Sequence, residues 1–392
     1  MASQNNSILL FTDALWCTIF TCVISAVLAL LFVNISILDP FTKAFQDFEF
    51  TDVYYAHNFY NKQPEPEIVV VNVEHADRFA IAQALQKISE FSPKAVGVDL
   101  LFKERKADFL DESLKTALSQ IPNLVKAAYF EDGKLQKSHP YFQVPEEETG
   151  FINFNLDGES RVVRDFLGYY ENEEQQEPSF AGQLAVVSGY ISETELTQNY
   201  NTPIPIKYTG GADSFLTLSI DDVLNRSDLS IMEQAVVLLG YAGTPTGNPY
   251  DVEDKHFTPL NPQFAGRSIP DTYGVYIHAS ILQNLKSGSG FTKTPVWLSR
   301  AIAFLFCYLS ILLGMYIYKK NAVAFDLSSK LLQLLIPVII LYLALMLMDA
   351  QIYLNVLTAV VLVILGLECI DFYIYLQEFI RKRYSWKSYL LD

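Results

Sequence analysis

The stretch Ile68-Val69-Val70-Val71-Asn72-Val73 decides the fold of this 392-residue chain. It is apolar and β-branched almost without a break, where a strand with one wet face would alternate. It therefore predicts a strand covered on both faces, inside a parallel sheet. Downstream, Phe79, Ile81, Ala84, Leu85 and Ile88 recur at helical spacing over 78–91, and Pro93 lies beyond the helix end. Residues 95–98 form a second buried strand ending in Asp99, 109–118 a helix, and 124–129 a third strand. Strands alternating with helices specify parallel pairing with right-handed crossovers.

Farther along, the pattern changes. Residues 150–155 and 161–170 alternate about Leu156-Asp157-Gly158-Glu159, and Asp-Gly is a hairpin turn signal. A helix is expected at 180–187, a strand at 204–208, a helix at 220–224, a buried strand at 235–240 and a final helix at 276–285 after the long loop 241–270. Upstream, Phe41, Phe45 and Phe48 sit at helical spacing and predict an amphipathic stalk. The expected fold class is α/β: a three-layer, mostly parallel sheet domain with an antiparallel hairpin insertion, plus four transmembrane α-helices.

Those four helices come from apolar runs at 15–38, 296–318, 331–348 and 352–373. At 1.5 Å rise per residue, such lengths span a hydrocarbon core of about 30 Å. Lys319, Lys320 and Lys330 flank the second loop, and Arg381, Lys382, Arg383 and Lys387 follow the last span, whereas Asp349-Ala350-Gln351 carries no cation. The positive-inside rule then puts 1–14 and the tail 374–392 in the cytoplasm and 39–295 outside. The first run lacks the basic n-region and small-residue cleavage site of a signal peptide, so an uncleaved anchor is expected.

Charge and cysteine narrow the partners. Residues 39–295 hold 37 Asp/Glu against 20 Lys/Arg, and the net charge of the whole chain is −16. A surface this acidic repels phosphate backbones, which excludes nucleic acid as a partner. Cys17, Cys22, Cys307 and Cys369 all fall inside predicted spans, so the outer domain holds no disulfide and no Cys/His zinc spacing. A bacterial inner membrane, with the large domain in the periplasm or outside, fits that pattern.

Several stretches together carry a resemblance. They are Ile68–Glu74, Pro93-Lys94-Ala95-Val96-Gly97-Val98-Asp99-Leu100-Leu101-Phe102, Gly150-Phe151-Ile152-Asn153 with Asp157 and Arg161–Arg164, Val237-Leu238-Leu239-Gly240, Phe257-Thr258-Pro259 and Gly274-Val275-Tyr276-Ile277-His278-Ala279. In this order, between one span and three, they resemble a CHASE2 domain over roughly residues 35–372. The resemblance implies an extracytoplasmic sensory module of bacterial signalling proteins. Two departures stand out. Family members usually continue into a cytoplasmic output domain, whereas about 20 residues follow the last span here. Asp271-Thr272-Tyr273 also separates Pro270 from Gly274, where the family usually runs Pro directly into Gly-Val.

In open parallel sheets ligands bind beyond the carboxyl ends of the strands. The candidates there are Glu74 and His75, Asp99, Tyr241 and Thr244, with His278 opening the last helix beside them. Asp99 has an alternative as a helix cap or salt bridge, Glu74 as a loop carboxylate, and His278 as a packed imidazole. Asp251, Asp254 and His256, near Glu253, gather oxygen and imidazole ligands but lack any standard metal spacing, so a solvated acidic loop is the simpler reading. No cofactor is expected: a Gly-x-Ser-x-Gly elbow and a P-loop are missing, and Tyr241-Ala242-Gly243-Thr244 falls short of a dinucleotide loop. Glu368, near the inner end of the last span, is expected to reach headgroups or Arg381 and Lys382 rather than line an ion path. The tail carries Tyr384, Trp386 and Tyr389, either on an interfacial helix or as a partner-docking peptide.

The leading expectation is a non-enzymatic sensor or interaction subunit, a homo-oligomer that binds a small ligand or an envelope protein and signals to a separate effector. The alternatives are a structural subunit of an envelope complex and a metal-dependent extracytoplasmic hydrolase using Asp99 and the 251–256 loop.

Overall fold

The computed structural model describes residues 2–34, 49–56, 62, 64–145, 147–154, 161–172, 175–244, 251–263, 269–288, 290–384 and 387–391. The chain opens with a long helix, α1 (Ala2–Asn34), and forms two compact units: Asp47–Phe291, and Met1–Gln46 with Thr292–Asp392.

The first unit is a mixed α/β domain with helices on both faces of a mostly parallel sheet. Its strands are β1 (Glu65–Asn72), β2 (Ala95–Val98), β3 (Leu124–Glu131), β4 (Lys134–Gln136), β5 (Glu148–Phe151), β6 (Phe215–Ser219) and β7 (Val236–Gly240). They lie in the order β6-β1-β7-β2-β3, with β4 and β5 both paired to β3. Every pairing in the sheet is parallel except the β3–β4 hairpin. The strand nearest the C-terminus, β7, is thus inserted between β1 and β2. Val69, Val70 and Val71 are fully buried, as an unbroken apolar run requires.

The helices of this unit are α2 (Phe50–Ala56), α3 (Arg78–Ser89), α4 (Asp108–Ser119), α5 (Phe180–Val187), α6 (Glu193–Asn199), α7 (Ile220–Asn225) and α8 (Gly274–Ser287). One face of the sheet packs Val69, Val71, Val96, Val98, Val237 and Leu239 against Ile81, Leu85, Ile88, Leu114, Leu118 and Val223 of α3, α4 and α7. The other face carries α5 and α8, which pack on each other and on the central strands. Side-chain caps fix where helices begin: Asp77 accepts from the Ala80 amide at 2.9 Å, Ser179 from Gly182 at 3.0 Å, and Ser219 closes a capping box with Asp222.

The antiparallel elements differ in place from the expected hairpin. Its turn, 156–159, lies outside the described residues, and its flanks pair elsewhere. Gly150 and Phe151 run parallel to β3, and Asp165–Phe166 pairs with Ile204–Pro205. An antiparallel hairpin forms one segment later, between Tyr169–Glu171 and Gln176–Pro178.

In the second unit, α1, α9 (Val296–Lys320), α10 (Ala322–Asp349) and α11 (Leu357–Arg381) are each long and apolar enough to cross a membrane. Helix α11 starts at Leu357 because Ile352–Tyr353 pair in parallel with Thr292–Lys293. Glu368 takes neither of its expected cations: it pairs with Lys330 of α10 and accepts from Gln333 Nε2 at 2.8 Å. The tail beyond α11 folds back onto the helices. Asp13, 2% exposed on α1, accepts from Ser388 Oγ and from the Tyr389 amide, each at 2.8 Å. Ser388 Oγ also lies 2.6 Å from Gln377 Oε1.

Candidate functional site

The site forms where β2 and β7 end. Strand pairing carries one residue past β2, since the Asp99 amide donates to Leu239 O at 2.8 Å. This fixes the Asp99 side chain at the carboxyl edge of the sheet. Gly240 ends the neighbouring strand, and a Cβ there would lie 2.9 Å from Val275 and 3.3 Å from the Asp99 Cβ. Its missing side chain lets the first turn of α8 settle onto the strand ends. The N-cap residue of α8, Tyr273, supplies no side-chain hydrogen bond, and the Gly274 amide donates to Asp254 O at 3.0 Å.

Asp271-Thr272-Tyr273 do the positioning. Thr272–Tyr273 pair antiparallel with Lys255–His256. The Asp271 carboxylate accepts from the Thr258 amide at 2.9 Å, from Asn261 Nδ2 at 3.1 Å and from the Thr258 hydroxyl. The long loop is thereby pinned with Asp254 and His256 beside the start of α8. Asp254 adopts φ +53°, and its carboxylate sits just over Gly274.

The result is a cavity of about 380 Å³ bordered by Asp99, Asp254, His256, His278, Lys103, Tyr129, Phe154 and their neighbours. Asp99 and Asp254 accept no side-chain hydrogen bond among the described residues; His256 Nε2 lies 3.8 Å from Asp254. Burial, reinforced by the charge of Asp254, pushes the Asp99 carboxyl up to about 8. His278 is 4% exposed, and its Nδ1 has no hydrogen-bond partner among the described residues. Its ring lies between Phe154 and Phe180, with centroids 4.7 and 5.2 Å away. Burial, with His256 nearby, lowers its pKa to about 3, so the imidazole is neutral. At the rim, the Lys103 ammonium rests 4.7 Å above the Tyr129 ring. His278 also borders a second cavity of about 420 Å³, which reaches Glu49 and Arg164. Arg164 there makes a two-point buried pair with Asp52 of α2, at 3.0 and 2.8 Å.

The strand-end candidates thus separate into two groups. Asp99 and His278 share the first cavity with Asp254 and His256. Tyr241, His75 and Asp251 form another group: Tyr241 donates to Asp251 at 2.7 Å and its ring lies 5.6 Å from that of His75. The Asp251 carboxylate also takes the Thr244 amide, and the Tyr241 hydrogen bond leads the contacts that hold its pKa down. Asn72 staples the two strand ends, accepting from the Ala242 and Glu74 amides and donating to Gly243 O. Glu74 itself occupies a left-handed turn position, φ +47°. Asp251, Asp254 and His256 do not converge as ligands, and no group of three or more His, Cys, Asp or Glu side chains among the described residues could hold a metal ion. Lys103, Tyr129 and Phe154 carry no motif that marks them in sequence. In the tail, Tyr384 is exposed and Tyr389 half-buried, its ring 5.8 Å from Lys319 Nζ, while Trp386 lies outside the described residues.

A family model, CHASE2 domain, matches residues 22–316. The chain belongs to the CHASE2 family. CHASE2 domains are extracytoplasmic sensory domains, not catalytic ones. With four helices of membrane-crossing length, this is a multi-pass membrane protein carrying a CHASE2 domain. No curated protein and no solved structure matches the chain.

Proposed function

We propose that the chain is a sensor whose CHASE2 domain binds a small ligand at the ends of β2 and β7 and passes the change to the membrane helices. One observation carries this: Asp99, whose carboxyl accepts no side-chain hydrogen bond among the described residues, and the 4%-exposed His278 line a single cavity at the strand ends. A partly buried carboxyl left without a partner favours a ligand that supplies a donor. The route outward is short. Helix α8 has its first turn at the cavity and ends at Ser287, with eight residues between it and Val296, where α9 begins. A ligand drives signalling only through different affinity for two arrangements of those helices, which a two-fold oligomer in a bacterial inner membrane would supply. An effector in the cytoplasm or membrane then reads the difference.

The test is native mass spectrometry of the full chain extracted from its own membrane, beside Ile152→Trp, which fills the cavity. A small-molecule adduct on the wild type that the variant lacks is the expected result. Bare protein in both samples, accompanied by a stoichiometric protein partner, would replace sensing with a structural role.

A further inference from the structure

The chemistry around the cavity narrows what it holds. Its polar lining is not of one sign. Asp99 and Asp254 present carboxyl groups that accept no side-chain hydrogen bond from the described residues. Lys103, on the same rim, makes no ion pair among those residues; its ammonium rests on the face of Tyr129. The first turn of α8 adds the positive end of a 14-residue helix dipole. Between these charges lies an apolar wall of Leu101, Ile152 and Phe154. An anion alone would meet the Asp254 carboxylate, and a cation alone would leave Lys103 unmatched. His278 walls the cavity with a ring packed between aromatic side chains.

We propose that the cavity recognises a small zwitterion of the α-amino-acid class, its ammonium between Asp99 and Asp254 and its carboxylate at Lys103, with the side chain along Phe154. This rests on the ligand-binding reading above and names the ligand for the same site. The volume of about 380 Å³ is at the lower end of the range for small-molecule pockets, roughly 300–1,000 Å³, and suits a compound of this size. Charge-assisted hydrogen bonds at both ends give discrimination that a purely apolar slot cannot, because an analogue lacking either group leaves protein charges unpaired. The ammonium would also draw Asp99 into its ionised form, so binding near neutral pH releases a proton.

The experiment uses the full chain in lipid nanodiscs, with thermal shift and calorimetry as readouts. The first probe is an equimolar mixture of the twenty standard L-amino acids. The second and third are the matched amines, lacking the carboxylate, and the matched carboxylic acids, lacking the ammonium. The amino acids are expected to raise Tm, and both deleted sets to bind at least about tenfold more weakly, one lost charged hydrogen bond each. Lys103→Met, at an exposed position, should bind amines and amino acids alike, and Asp99→Asn should weaken both. Amines or acids that bind the wild type as tightly as the amino acids, or an amino-acid mixture without effect, overturn the proposal. If a native adduct is found that carries neither charged group, the ligand class falls and the sensor reading stands. If there is no adduct and no probe binds, both fall.

Discussion

Replacing Asp99 by asparagine should make the CHASE2 domain more stable, and increasingly so as pH rises. The folded carboxyl titrates near 8 against 3.8 for the ordinary group. Between those values the folded state holds a proton that the unfolded state has lost, so stability is greatest below 3.8 and declines up to about 8. The slope is about 1.4 kcal/mol per pH unit, which from pH 5 to 7.5 amounts to about 3 kcal/mol. For a unit of this size that corresponds to roughly 6–12 °C in Tm. The amide side chain of the variant does not titrate and has no such slope. The assay is a pair of melting curves on ligand-free protein across that pH range, read as variant minus wild type. Asp254, Lys103, His256 and His278 remain in both proteins, and their titrations cancel in the difference to first order. A Tm gap that widens with pH is the expected outcome. A gap that stays constant from pH 5 to 7.5 would refute the idea that Asp99 is held protonated.

Four other perturbations follow from the same geometry. Asp52→Asn removes the carboxylate facing buried Arg164 and should cost about 3–5 kcal/mol in thermal unfolding, whereas a surface pair would cost under about 1. Gly150→Ala puts a Cβ 2.5 Å from the Phe180 Cα, so α5 must shift, and a loss of about 1–3 kcal/mol is expected in the same melt. Asp13→Ala should free the tail at Ser388 and Tyr389, seen as faster trypsin cleavage after exposed Lys387; unchanged kinetics would contradict the latch. His278, with its pKa near 3, should keep the nitrogen NMR shifts of a neutral imidazole from pH 5 to 8; the shifts of an imidazolium at pH 5 would contradict this.

Elements built from a local pattern were legible in the sequence. Residues 95–98 and 180–187 emerge with the expected bounds, because an unbroken apolar run and a cap followed by an apolar face are both local signals. Strand β6 escaped reading: Leu216 is half-buried, Thr217 is exposed, and the chain enters α7 at once. Strand order was not readable either, since nothing within residues 236–240 says that they lie between β1 and β2. Asp99 and His278, named from the strand-end rule, line one cavity. That Asp254 and His256 would join them, while Tyr241 and His75 would not, depends on the ladder of Thr272–Tyr273 with the long loop. No pairing signal in the sequence reveals that ladder.

The insertion of β7 bears on how the protein is made. As synthesis proceeds from the N-terminus, β1 and β2 emerge long before their shared neighbour, which pairs with β1 from roughly 170 residues later. Until then two apolar strands stand with unsatisfied edges, a condition that invites association between nascent chains. Closure depends on contacts distant in sequence, so folding should be slow for a domain of this size. The final buried helix, α8, finishes just ahead of α9, which commits the chain to the bilayer again. Export and folding of the domain are therefore nearly simultaneous with insertion of the second span, and a chaperone that shields the β1 and β2 edges during that interval would raise the yield of native protein.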